Sequence, residues 1–145
     1  MSAGAYLAAM AGMAPHLLAA HGHDHRKLRG LLLVSGQVFT HYQVKADHGD
    51  GNVYAPVVDG FAPFKYVAAD VAPVLCVTGD YDRDMPTRAA ANRLFVDVLR
   101  ALGHPDATHR VLQGHDHGGA FESCGWLAAE FIRRLAPAAP MAPRE

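Results

Sequence analysis

The spacing of apolar and polar positions changes several times along the chain, and each change marks an element. Residues 3–13 are rich in Ala, Leu and Met, have no β-branched residue and stop before Pro15, which predicts a helix. Residues 16–29 predict a short helix or loop carrying the polar cluster His21-Gly22-His23-Asp24-His25-Arg26-Lys27. Leu31-Leu32-Leu33-Val34 is continuously apolar and closed by Ser35-Gly36, as in a strand buried on both faces. Residues 37–70 mix aromatics, glycines and prolines without a clean period. They predict a long, cap-like excursion over the top of the domain, of the kind that shapes a binding site.

Regular spacing then returns. Residues 73–78 predict a second buried strand that ends at Gly79. Residues 87–102 predict an amphipathic helix with Ala91, Leu94, Phe95, Val98, Leu99 and Leu102 on its apolar face and Gly103 as its stop. Residues 108–112 predict a third strand, ended by Gly114. Residues 122–135 predict a last helix with Trp126, Leu127, Phe131 and Leu135 on one side. Three buried strands separated by helices predict a parallel α/β sheet in one domain over residues 1–136, followed by a Pro/Ala-rich, frayed tail at 137–145.

Composition narrows the class. Half of the 145 residues are hydrophobic and 19% are charged, which fits a chain with a real core rather than a disordered one. A formal net charge of −1 gives no electrostatic reason to expect nucleic acid or an anionic membrane surface. No apolar run approaches the roughly 20 residues that span a bilayer, and the first residues lack the basic start and apolar stretch of a signal peptide. Two cysteines make no disulfide framework; Cys76 lies in an apolar run and reads as a buried thiol, which suits a cytoplasmic location.

Three polar clusters fall at element ends, where open parallel sheets place their chemistry. Ser2-Ala3-Gly4-Ala5 begins the first helix; small neighbours let a serine hydroxyl project, and the Ala3 amide can face a developing oxyanion. Gly79-Asp80-Tyr81-Asp82 follows the second strand and offers a carboxylate to orient an imidazole. Gly114-His115-Asp116-His117-Gly118-Gly119 follows the third strand and offers that imidazole. The order Ser, Asp, His is the one used by a single fold among triad enzymes.

With those residues in place, the chain resembles an α/β hydrolase of the esterase/lipase kind, similar to small carboxylesterase-like and kynurenine-formamidase-like members. Ser2-Ala3-Gly4-Ala5-Tyr6-Leu7-Ala8-Ala9-Met10 matches the nucleophile elbow of that family from its serine onward. The resemblance implies Ser2 as nucleophile, Asp82, three residues after Gly79, as the acid, and His117 as the base. It implies hydrolysis of carboxylic esters or arylformamides through an acyl-enzyme, with no cofactor and no metal. Tyr42, Tyr54, Phe61 and Phe64 of the excursion are candidates to line an acyl or aryl pocket, or equally to pack in a core. The match runs from Ser2 to about Leu135. It lacks the glycine two residues before the nucleophile, the strand leading into the elbow, and the His-Gly-Gly-type loop that supplies further oxyanion donors. The expectation is a chain truncated at the elbow and catalytically incomplete by itself, since one such donor is worth about 10²–10³ in rate.

Other readings stay open beside this one. Ser2 is a residue type favoured as a helix N-cap. Asp84 could be a helix N-terminal charge or the acid in place of Asp82, and His115 competes with His117. His21, His23 and His25 with Asp24, together with His115 and His117, could hold zinc for a metallohydrolase. A free amine at Ser2 could act as a base, as in N-terminal nucleophile enzymes. The chain could also be a non-catalytic fragment or interaction module. Its first strand would leave one sheet edge bare, a surface for self-association or for a missing N-terminal segment.

Overall fold

A computed structural model describes residues 1–136; the predicted tail lies outside the described residues. The chain runs α1 (Ser2–Met13), α2 (Pro15–Ala19), a 3₁₀ turn (His25–Lys27), β1 (Leu31–Val34), α3 (Tyr42–Asp47), a second 3₁₀ turn (Pro63–Tyr66), β2 (Val74–Thr78), α4 (Arg88–Ala101), β3 (Ala107–Val111), α5 (His117–Ser123) and α6 (Gly125–Leu135). The strands form one parallel sheet in the order β1-β2-β3, with Leu31 opposite Val74 and Val74 opposite Ala107. This is the three-stranded parallel sheet flanked by helices that the strand spacing predicts.

The unbroken apolar runs follow from covering both faces. Leu31, Leu33, Val74 and Cys76 point into a core shared with Ala5, Ala9 and Met13 of α1 and Phe95, Val96 and Leu99 of α4. The alternate residues Val34, Leu75 and Val77 meet Cys124, Leu127 and Phe131 beneath α6. With period-2 alternation and helices on both sides, β1 and β2 up to Val77 take an apolar side chain at every position, and the buried Thr78 that ends β2 meets His109. β3 departs from that expectation: Arg110 is exposed and its neighbours only half-buried, because β3 is an edge strand. β1 is the opposite edge, and no strand among the described residues pairs with its outer side.

Three predicted helix details change. The buried stripe of α4 runs through Asn92, Phe95, Val96 and Leu99, leaving Leu94 and Leu102 exposed. Asn92 takes a core position because its amide donates to the carbonyls of Gly36 (2.8 Å) and Arg88 (3.0 Å). Trp126 is exposed, while Leu127 and Phe131 carry the α6 contact. The last helix is two helices. α5 starts at His117, capped by Asp116, whose carboxylate accepts from the Gly119 amide at 2.8 Å. Gly118 and Gly119 hide this helix from propensity, because glycine disfavours helix interiors by about 1 kcal/mol.

The excursion is more ordered than its sequence suggests. Lys45, only 3% exposed, donates to the carbonyls of Asn52 (2.5 Å) and Ala55 (2.7 Å) and pairs with Asp50. The Thr40 hydroxyl donates to Asp59 at 2.6 Å. Val38 drops into the core, so both ends of the segment are fixed. Cys76 and Cys124 are free and buried, and burial pushes the Cys76 thiol up to about 12. No helix among the described residues is long and apolar enough to cross a membrane.

Candidate active site

The C-terminal ends of β1 and β2 and the turn after β3 converge on one carboxylate, that of Asp84. After Thr78 the chain turns sharply: the amides of Arg83 and Asp84 donate to the Asp80 carbonyl at 3.1 and 2.9 Å. This turn returns Asp84 to the sheet end and leaves Asp82 exposed at its tip. Asp84 then accepts from the amides of Gly79 (2.8 Å) and Met85 (2.7 Å), and its side chain is fully buried. The Asp80 carboxylate joins the acid turn to the histidine turn by accepting from the Gly114 amide at 3.0 Å. Gly79 is required where it stands. A Cβ there would lie 2.6 Å from the His115 carbonyl oxygen and 2.8 Å from that of Asp116.

His117 Nδ1 lies 2.7 Å from Asp84 Oδ1, with the imidazole side chain 26% exposed. The carboxylate that meets the imidazole is therefore Asp84, and the predicted acid Asp82 is corrected. A three-residue count from Gly79 takes no account of the turn closing through Asp84. His115 is turned elsewhere, its Nδ1 3.0 Å from the Gln113 carbonyl of its own turn. Burial alone would raise the Asp84 carboxyl. The Ser35 hydroxyl, the His117 imidazole and the amides of Met85 and Gly79 outweigh it and hold Asp84 below the usual carboxylate range. An ionised carboxylate only accepts, so Nδ1 donates to it, and in the neutral imidazole the lone pair is then on Nε2.

Sequence reasoning missed Ser35 as a member of this group. Its Oγ lies 2.7 and 2.6 Å from the two Asp84 oxygens and 2.9 Å from His117 Nδ1. The signal was present in the Ser35-Gly36 pair closing β1, at the same sheet end as the acid turn.

Ser2 is the first residue of α1, with φ +50°, in the left-handed region that non-glycine residues rarely enter. Its side chain caps no helix amide, and the N-cap is Met1, so the N-cap reading fails. The Ala5 amide bonds to the Met1 carbonyl; the earlier amides, Ala3 among them, belong to the helix end that has no intrahelical acceptor. Neither an acidic residue nor a side-chain cap occupies that end. The first turn of α1 rests on the turn that carries Ser35: a Cβ on Gly36 would lie 2.9 Å from the Ala5 Cβ. Ala5, three residues after Ser2, is the α1 residue that meets the turn next to Ser35.

Of the pocket candidates, Tyr42, Tyr54 and Phe61 lie on the excursion. The Tyr42 ring packs against those of Tyr54 (5.1 Å) and His41 (5.7 Å). The Phe61 carbonyl accepts from the Tyr6 hydroxyl at 2.6 Å, and its ring stays half exposed against His48. Phe64, also on the excursion, packs between Phe39 and the fully buried Phe95, the core-packing alternative left open by its sequence. His41, not singled out in the sequence, lies 5.0 Å from the Tyr6 ring; burial and then the Arg88 charge depress its basicity.

The two histidine groups do not come together. His25 precedes β1 and His117 meets the residue after it, so the strand separates them. Among the described residues no three His, Cys, Asp or Glu side chains are placed to hold one metal ion. Asp24 is taken up by Arg26, at 3.0 Å from its amide and 3.1 Å from its Nε.

The fold is that of the C-terminal part of an α/β hydrolase. Solved structures of esterase 2 from Thermogutta terrifontis superpose on nearly the whole chain. The form phosphoramylated by tabun gives a TM-score of 0.72 at 21% identity, covering 96% of this chain and 54% of that one. The butyrate-bound form gives 0.69 at 19% identity, covering 97% and 56%. The form phosphorylated by paraoxon gives 0.65 at 21% identity, covering 96% and 54%. The chain thus spans a little over half the length of these esterases. No protein-family profile matches it, and neither does any curated protein.

Proposed function

We propose that this chain carries the nucleophile, base and acid of a serine hydrolase acting on carboxylic esters or arylformamides, with Ser2, His117 and Asp84 in those roles. The observation that carries the reading is the His117–Asp84 pair at 2.7 Å. It holds the proton on Nδ1 and leaves Nε2 free to act as a base. The left-handed backbone at Ser2, at the uncapped end of α1, supports the nucleophile assignment. The structural likeness to esterases supports the substrate class.

In this mechanism Ser2 Oγ attacks the carbonyl carbon while His117 Nε2 takes its proton, and Asp84 stabilises the imidazolium that forms. The Ala3 amide donates to the oxyanion. Collapse of the tetrahedral species returns the proton from Nε2 to the departing alkoxide or amine, leaving an acyl-Ser2. Water deprotonated by the same nitrogen then releases the acid. Cofactor and metal have no part in this sequence.

The test is a fluorophosphonate probe followed by peptide mass spectrometry, run beside hydrolysis of p-nitrophenyl butyrate. One adduct on Ser2 is expected, lost in Ser2→Ala and indifferent to a chelator. No adduct on Ser2, or hydrolysis that survives in Ser2→Ala, overturns the assignment. Hydrolysis abolished by the chelator would favour a metal enzyme instead.

A further inference from the structure

We infer that Ser35 is a positioning residue of this site, whose hydroxyl, set between Asp84 and His117, holds the imidazole as its Nδ1–H tautomer. The first support is conformational. Ser35 is fully buried with φ +47°, where a side chain costs about 1–2 kcal/mol relative to ordinary backbone and glycine does not. Its main chain is already fixed without the side chain. The amide donates to the Val77 carbonyl at 2.7 Å, and the carbonyl accepts from Arg88 Nη1 at 2.7 Å. A glycine would make this turn with less strain, and the chain has one at the next position, Gly36. What serine adds is the hydroxyl.

Proton accounting then assigns its role. Asp84 is acceptor-only, and Nδ1 spends its single proton on Asp84 Oδ1. The Ser35 proton must therefore go to the carboxylate, 2.6–2.7 Å away. The Ser35 oxygen, 2.9 Å from Nδ1, is left as a second acceptor for the imidazole proton. Nδ1–H is bracketed by two acceptors, and Asp84 is kept from rotating by donors on both of its oxygens. Besides Asp84 and His117, the charged group that reaches this cluster is Arg88 of α4, through the Ser35 carbonyl. Ser35 cannot itself be the nucleophile: it is buried and lies on the Nδ1 side, away from the nitrogen that must act as base.

The catalytic consequence rests on the hydrolase reading above; the tautomer does not. The experiment compares Ser35→Gly and Ser35→Ala with the parent chain. Gly relieves the backbone and Ala keeps the strain, yet both lack the hydroxyl. Nitrogen-15 NMR of the imidazoles is expected to show His117 as the Nδ1–H form in the parent, with a slowly exchanging low-field proton. In both variants that proton should broaden or vanish and the tautomers mix. Labelling of Ser2 by the fluorophosphonate should slow about 10- to 100-fold in both, the equivalent of one hydrogen bond to a charged group. Melting should rank Gly above Ala. A Ser35→Gly chain that retains the parent Nδ1–H signal overturns the inference and reduces Ser35 to a turn residue. A parent chain that takes no label but gives the expected tautomer change sinks the hydrolase reading and leaves Ser35 in place.

Discussion

Replacing Asp84 by Asn tests the site most directly, because the structure dictates the outcome in either orientation of the amide. Every donor around Asp84 faces an oxygen: Met85 N–H and His117 Nδ1–H at Oδ1, Gly79 N–H at Oδ2, and the Ser35 hydroxyl within reach of both. An amide NH₂ at the Oδ1 place opposes the Met85 amide and forces the His117 proton onto Nε2. At the Oδ2 place it opposes the Gly79 amide. A buried donor left unsatisfied costs about 1–3 kcal/mol, and each orientation strands at least a facing pair. Asp84→Asn is therefore expected to lose about 2–4 kcal/mol in urea unfolding. With the NH₂ at the Oδ1 place, the tautomer change should slow labelling of Ser2 by about 10³–10⁴-fold, the scale seen when a triad acid becomes an amide; the other orientation keeps the tautomer and shows only the stability loss. Asp82→Asn alters an exposed side chain at the turn tip and should stay within about 0.5 kcal/mol of the parent with an unchanged labelling rate. If Asp82→Asn slows labelling while Asp84→Asn does not, the assignment of the acid is wrong.

Three more outcomes follow from the same structure. His109 Nε2 sits 2.8 Å from the Thr78 hydroxyl oxygen, and burial, then the Arg93 charge, depresses the imidazole to about 4 despite Asp97. The unfolded chain binds this proton near pH 6.5 and the folded chain near 4. Stability is therefore whole above pH 7 and falls as pH drops through that window. About 2 kcal/mol should go between pH 7 and 5. His109→Gln should remove that slope, and equal slopes in parent and variant would refute the burial argument. Gly79→Ala places a methyl against two backbone carbonyl oxygens and should cost roughly 1–3 kcal/mol while parting the acid and histidine turns, read as a lower melting temperature and slower labelling. The outer amides and carbonyls of β1 face no strand among the described residues, so the chain alone is expected to self-associate with rising concentration in sedimentation velocity. A single monomer boundary at all concentrations would count against it.

The strands were legible because burial on both faces writes itself as unbroken apolar runs; β1 occupies the predicted residues and β2 begins one residue late. The helices were legible only in part: α1, α4 and α6 lie where the spacing puts them, α3 and α5 were not anticipated, and the buried faces were misread. Asn92 shows why: a polar side chain that satisfies the Gly36 carbonyl can hold a core position that hydrophobic spacing assigns to Leu94. For the site, the sequence located the three element ends and named His117. It favoured Asp82, whereas the carboxylate against the imidazole is Asp84, because that choice depends on a turn closed by backbone hydrogen bonds to Asp80. The Ser35-Gly36 pair closing β1 was the one signal for Ser35, whose chemistry comes from contacts 49 and 82 residues away in the chain.

Backbone strain gives a separate line to the same place. Only three non-glycine residues adopt positive φ among those described: Ser2, Ser35 and Thr87. Ser2 starts the helix that rests on the Ser35 turn, and Ser35 contacts the carboxylate and the imidazole. Thr87 immediately precedes α4 and its first residue, Arg88, which holds the Ser35 carbonyl. At about 1–2 kcal/mol each, this strain is a sizeable share of the 5–15 kcal/mol that keeps a domain folded. Glycine at any of the three would lessen it, and the chain uses glycine freely at other turns, such as Gly103 and Gly114. Strain scattered over the surface would mean little. Strain gathered at Ser35, at the start of the helix that rests on its turn and at the residue before Arg88 persists only where the surrounding structure over-determines it, and such places are where function is sought first.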